Sequence, residues 1–178
     1  MKKYLPKNKN FIKPIRLGMV GGGVGSFIGN VHRLSSRLDG NYDLVAGAFS
    51  STAKKSLQSG LKLGIEKKRI YSNYKEMAKI ESLREDKIEA VAIVTPNNSH
   101  SEIAIEFLKK NIHVICDKPL TATIAQAKKL ASVAKKSKAL LAITYNYSGY
   151  PLVHQAKEMV SNGSLGKIRF VEVKYATD

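Results

Sequence analysis

The feature that most constrains this chain is an apolar run, Ile15-Arg16-Leu17-Gly18-Met19-Val20, leading straight into Gly21-Gly22-Gly23-Val24-Gly25-Ser26. A short apolar run that ends in glycines reads as a buried strand feeding a tight turn. A helix is predicted behind it, from about Val24 to Arg37. Such a strand–turn–helix unit is built to hold a phosphate. Gly21 permits the turn. Gly23 has no Cβ, so the backbone can approach a diphosphate. Val24 and Gly25 carry the chain into the helix, whose free N–H groups and positive dipole end face the anion. Ser26 takes the position where a small residue lets helix and strand pack closely. Gly25 or Gly29 fills that place in a shifted register.

The rest of the chain repeats the alternation. Strands are predicted at 43–49, 90–94, 113–116 and 140–144, with helices over 52–63, 74–83, about 100–111 and after Thr123. Ala90-Val91-Ala92-Ile93-Val94 is apolar throughout, as a parallel strand covered on both faces must be. Ser99 and Glu102 have capping-box spacing, as do Thr123 and Gln126. The pattern predicts an α/β fold: a doubly wound parallel Rossmann sheet with helices on both faces. Its ligand site then lies at the C-terminal ends of the strands.

The unusual residues fall at those ends. After the second strand come Phe49-Ser50-Ser51-Thr52-Ala53-Lys54-Lys55. An acid here binds the adenosine 2′-hydroxyl of NAD, and there is none. Ser50, Ser51 and Lys54 suit a 2′-phosphate instead, which favours NADP over NAD. After the third strand come Thr95-Pro96-Asn97-Asn98-Ser99-His100. Pro96 stiffens the exit, and Thr95, Asn97 and Asn98 suit hydrogen bonding to a ribose or nicotinamide. His100 is counted with these cofactor contacts, with a structural role as the alternative. After the fourth strand come Cys116-Asp117-Lys118-Pro119. Lys118 can polarise a substrate oxygen or hold the nicotinamide end, and Asp117 can bind ribose. Cys116 reads as buried filler.

Composition excludes several classes. The 178 residues are 43% hydrophobic and 25% charged, which suits a packed domain rather than a disordered chain. One cysteine cannot form an internal disulfide, and four histidines leave little for a metal cluster. The net charge of +16 raises the question of nucleic acid. Its lysines are spread as pairs over separate helices, at 54–55, 67–68, 109–110, 128–129 and 135–136, without interleaved aromatics for base stacking. No nucleic-acid partner is expected. The basic stretch at 1–10 lacks the apolar centre of a signal peptide, and no segment is long enough to span a membrane. The reading is a cytoplasmic protein without membrane contact.

With these four sites in order, the chain resembles the glucose–fructose oxidoreductase / inositol dehydrogenase / MocA family over about Ile15 to Asp178. The motifs are the glycine turn, Thr-Pro-Asn-x-x-His at 95–100, and that family's Glu-Lys-Pro, here Asp117-Lys118-Pro119. Asp for Glu keeps the charge and shortens the reach. The resemblance implies hydride transfer between NAD(P) and a sugar, inositol or related polyol, with Lys118 catalytic and Tyr145 in a loop near the active site. It also implies a second α/β domain that binds substrate, often mediates homo-oligomerisation, and carries an acid/base Asp and His. Nothing after Lys118 matches that pair. The expected layout is a disordered basic tail at 1–13, a nucleotide-binding domain at 14–146, and at 147–178 the opening helix and strand of a truncated substrate domain. Residues 168–175 alternate as that strand should, with Phe170 and Val171 wanting partners. A non-catalytic nucleotide-binding or sensor protein is the competing expectation.

Overall fold

The computed structural model describes residues 13–176. Of the tail expected at 1–13, only Lys13 lies within the described residues. The elements follow the expected alternation: β1 (Ile15–Gly21), α1 (Phe27–Leu38), β2 (Tyr42–Ala48), α2 (Ala53–Lys62), α3 (Tyr74–Glu81), β3 (Ala90–Val94), α4 (His100–Leu108), β4 (His113–Cys116), α5 (Ile124–Lys136), β5 (Leu141–Ile143) and α6 (Pro151–Ser161). The five described strands form one sheet in the order β2-β1-β3-β4-β5, every neighbouring pair parallel. Beyond β2 a single bridge joins Gly47 to Ile70, and Tyr71 N–H donates to the Gly47 carbonyl at 2.8 Å. It stands where a further strand would lie. The strand order reverses between β1 and β3, which opens a crevice at their carboxyl ends.

Both faces of the sheet are packed. In β3, Val91 and Ile93 point to one face and Ala90, Ala92 and Val94 to the other, each at most 5% exposed. The first face meets Met77 of α3, Ile103 and Phe107 of α4 and Leu130 of α5. The second holds Leu17 and Met19 of β1 with Phe49, Ile65 and the partly buried Ile28 of α1. The link between α2 and β3 is fixed by a buried ion pair. Arg69 Nη2 lies 2.6 Å from Glu81 Oε2, and Tyr71 O–H and Ile88 N–H also donate to that carboxylate. Removing one partner of such a pair costs about 3–5 kcal/mol.

Three local expectations change. α1 begins at Phe27 rather than Val24, because Gly25 sits at φ +88° and Ser26 is the extended N-cap. The capping box at 99–102 does not form. A short turn at Asn97–Ser99 precedes α4, and the Ser99 hydroxyl donates to the Pro96 carbonyl instead. The second forms in modified shape: Gln126 N–H donates to Thr123 Oγ1 at 3.2 Å, while the Gln126 side chain accepts from Ala122 N–H, one residue before the cap.

The chain divides into two compact units, with the break after Thr144 rather than after 146. In the second unit α6 carries Pro151 at its first turn and ends ahead of Gly163 at φ +77°. Tyr147 packs edge-on against Tyr150 at 5.5 Å. The strand expected at 168–175 is absent, and Phe170 is 80% exposed. A strand exists through its ladder, and this segment joins no sheet ladder among the described residues.

Candidate functional site

The glycine turn is built by removing side chains. Gly21 has φ +78°, and a Cβ there would lie 2.8 Å from both Thr95 Cγ2 and the Val94 carbonyl. Glycine is needed for the turn and for the approach of β3. Close packing of helix on strand falls to Gly29, where a Cβ would land on the Gly22 backbone. Ser26, expected in that role, caps α1 instead: its Oγ accepts from Gly29 N–H at 3.2 Å. Such a cap contributes about 1 kcal/mol. Gly23 has a second reason to lack a side chain, since a Cβ would meet Ser59 Oγ at 2.7 Å and the Phe49 carbonyl at 2.8 Å. Val24 N–H donates to the same Ser59 Oγ, and Gly25 stands in open space.

Between this turn and α2 lies a cleft of about 400 Å³. Gly22, Gly23, Val24 and Ser26 line one side, and Ser50, Lys55 and Lys62 the other. No acid lines it. Ser51 and Lys54 are exposed and stand outside the lining; Lys55 takes the place expected of Lys54. Lys62 was not anticipated. Its spacing of seven from Lys55, two helical turns on one face, is the signal that points to it.

At the end of β3, Thr95 is half-buried and its Oγ1 lies within hydrogen-bond distance of Ser99 Oγ, at 2.8 Å, while Pro96, Asn97 and Asn98 are exposed. His100 is 1% exposed. Its two ring nitrogens lie 2.8 Å from the carbonyls of Thr95 and Pro119. Neither nitrogen is left for a ligand. The direct cofactor contact expected of His100 gives way to bracing, because the ring clips the end of β3 to the loop after β4.

At the end of β4, Asp117 N–H donates to the Ile93 carbonyl at 3.0 Å. The Asp117 carboxylate accepts from the Thr144 hydroxyl at 2.8 Å and faces His32 Nε2 at 3.5 Å. The His32 and Asp117 side chains are only 12% and 14% exposed. Both contacts fall on Oδ1, so Asp117 supports this loop through that oxygen. Lys118 beside it is exposed and makes no hydrogen bond or ion pair among the described residues. The Lys118–Pro119 peptide is cis. Cys116 is fully buried, and burial, with a smaller push from Asp117, raises its thiol pKa to about 12. That suits filler, not a nucleophile. Tyr145 opens the second unit and is 55% exposed.

Two residues on α1 were missed. His32 supports Asp117. Arg33, 7% exposed, donates to the Gly22 carbonyl and touches Met19 Sδ at 3.8 Å. A His-Arg pair one turn and a half into the helix that opens from the glycine turn is the signal that could have found them.

The described residues hold no cluster of three or more metal-ligating side chains and no helix long and apolar enough to cross a membrane. The family model for an oxidoreductase family with an NAD-binding Rossmann fold matches residues 15–145. An uncharacterized oxidoreductase, YfiI of Bacillus subtilis, is 39% identical over 92% of this chain and 42% of its own length. A solved oxidoreductase from Sinorhizobium meliloti is 58% identical, with a TM-score of 0.83 over 87% of this chain and 43% of its own. An inositol dehydrogenase homolog from Azotobacter vinelandii, solved with NADH and myo-inositol, is 39% identical, with a TM-score of 0.82 over 88% of this chain and 41% of its own. The chain spans about two fifths of the length of these relatives.

Proposed function

This chain belongs to the glucose–fructose oxidoreductase / inositol dehydrogenase / MocA family, and from that premise we propose that it carries the nucleotide-binding part of a nicotinamide-dependent dehydrogenase acting on a sugar, inositol or related polyol. The observation that carries this reading is the shared sheet edge. The glycine turn, the Ser50 end, the Thr95–Asn98 loop and Lys118 all follow the carboxyl ends of neighbouring parallel strands. A dinucleotide fits the turn by the chemistry of the donors there: bare glycine backbone, a helix N-terminus and cations without acids.

Gly21, Gly23, Val24, Gly25 and Ser26 bind the diphosphate. Ser50 with Lys55 and Lys62 binds the adenosine ribose, and their charge supports NADP over NAD. Thr95, Pro96, Asn97 and Asn98 border the nicotinamide side. When bound, the nicotinamide supplies the hydride chemistry. Lys118 holds or moves a proton at the substrate oxygen, its ammonium kept available by the absence of a partner among the described residues. Asp117, His32 and Thr144 fix the loop from which Lys118 projects.

Titration of the chain with NADPH and NADH, followed by nicotinamide fluorescence, tests the reading. Binding is expected for both, tighter for NADPH. Tighter NADH binding overturns the preference, and absence of binding at millimolar concentration overturns the reading. Binding without polyol oxidation, in any form that carries a substrate domain, would favour a non-catalytic nucleotide-binding protein.

A further inference from the structure

Arg33 is the least explained charge in the molecule. It is 7% exposed, and no carboxylate lies within ion-pair distance of it among the described residues. Its guanidinium donates to the Gly22 carbonyl and rests against Met19 Sδ. Burial, and to a smaller degree the neighbouring Arg37, pulls its pKa below that of a free arginine. A buried cation without a counterion is costly, and proteins normally pair it. The turn and the start of α1 have other supports. Gly29 already packs α1 against the turn, and Ser26 already caps the helix.

Its contact suggests its use. In a trans peptide the carbonyl and the following N–H point in opposite directions. An arginine that holds the Gly22 carbonyl therefore turns the Gly23 N–H away from itself. That N–H has no hydrogen-bond partner among the described residues, and both Gly22 and Gly23 line the cleft. Arg33 reaches the turn from α1, because helical side chains lean toward the N-terminus of their helix.

We propose that Arg33 is a positioning residue for a diphosphate: it clamps the Gly22 carbonyl so that the Gly23 N–H faces the ligand, and it sets beside the turn a positive charge that the bound diphosphate balances. The inference rests on the reading of the turn as a dinucleotide site. It places the counterion of Arg33 on the ligand rather than on the protein, so the unliganded chain carries an uncompensated charge.

The test uses the full chain and the variants Arg33→Met, Arg33→Gln and Arg33→Lys. NADPH affinity is read by fluorescence, with inorganic pyrophosphate and adenosine as competitors, and thermal unfolding is recorded for each. Arg33→Met is expected to weaken NADPH and pyrophosphate at least tenfold, to change adenosine less than twofold, and to unfold at the same or a higher temperature. Arg33→Lys should recover part of the loss and Arg33→Gln should not, which decides the matter even where Arg33→Met does not fold. NADPH affinity within twofold of the parent in Arg33→Gln overturns the proposal. So does an equal loss for adenosine and pyrophosphate with a lowered melting temperature, which marks a merely structural residue. If the parent chain binds neither NADPH nor NADH, the dinucleotide reading itself falls and takes Arg33 with it.

Discussion

The two ends of the candidate site are built by opposite means. At the glycine turn, side chains have been taken away so that backbone meets backbone. At the Lys118 end, side chains hold one another: Thr144 and His32 support Asp117, and His100 ties the loop back to β3. On the proposed function, the turn grips a feature every dinucleotide shares, so its chemistry can be generic backbone. On the same proposal, the Lys118 end places one ammonium against one substrate oxygen, which calls for specific supports. The two ends are joined by neighbouring residues of α1, with Arg33 holding the turn and His32 holding the lysine loop. Adjacent helical residues point about 100° apart, so one helix can serve both.

The sharpest way to break this contrast is Lys118→Ala. Loss of a proton-handling group should lower turnover about 10²–10⁴-fold in any form that oxidises a polyol. NADPH affinity should stay within a factor of two. Unchanged steady-state turnover removes Lys118 from the mechanism. Gly23→Val acts on the other end and should abolish measurable NADPH binding in a fluorescence titration. It should also destabilise the fold by about 1–3 kcal/mol, because the new side chain strikes the Phe49 carbonyl and Ser59. Gly29→Val separates these effects. It crowds the Gly22 backbone from the helix side and costs stability of the same order without filling the cleft. Lys62→Gln should weaken NADPH about tenfold and leave NADH nearly unchanged, since a charge-assisted contact is worth roughly 1.5–3 kcal/mol. Equal losses for both cofactors would mean that Lys62 senses the diphosphate and not the 2′ position.

The same contrast explains what the sequence made legible. A turn built from backbone leaves its trace in consecutive residues, so the glycine run announced itself. Each strand-end loop was likewise readable, because its strand and its odd residues are contiguous. Lys55 in place of Lys54 is a matter of which side of α2 meets the cleft; the helix starts where it was expected, but its rotation against the sheet is set by tertiary packing. Asp117 with His32 spans 85 positions, and nothing along the chain marks two such residues as neighbours. The role of Gly29 was open for a related reason. Whether Ser26 or Gly29 meets the strand depends on where α1 starts, and Gly25 at φ +88° delays that start. The alternation at 168–175 promised a strand that needs a partner to exist.

The smallest expected effect asks whether the two ends are truly separate. Ser26→Ala removes the cap at the turn and should cost about 0.5–2 kcal/mol. Thr144→Val removes a hydrogen bond to Asp117 and should cost about 1–3 kcal/mol. Their parent strands, β1 and β5, lie three places apart in the sheet, about 14 Å at ordinary strand spacing. Substitutions at that distance with no shared partner add to within about 0.5 kcal/mol. Additivity in denaturant unfolding of the double variant would therefore mean that the turn and the lysine loop are independent supports. A larger interaction needs a carrier: α1, capped by Ser26 and reaching Asp117 through His32, is one, and β3, paired with both β1 and β4, is another. If α1 is the carrier, His32→Asn should abolish the coupling while leaving each single effect nearly as it was. Coupling that survives His32→Asn would mean that the two ends communicate through the sheet, and that the division between a backbone-built end and a side-chain-built end is only local.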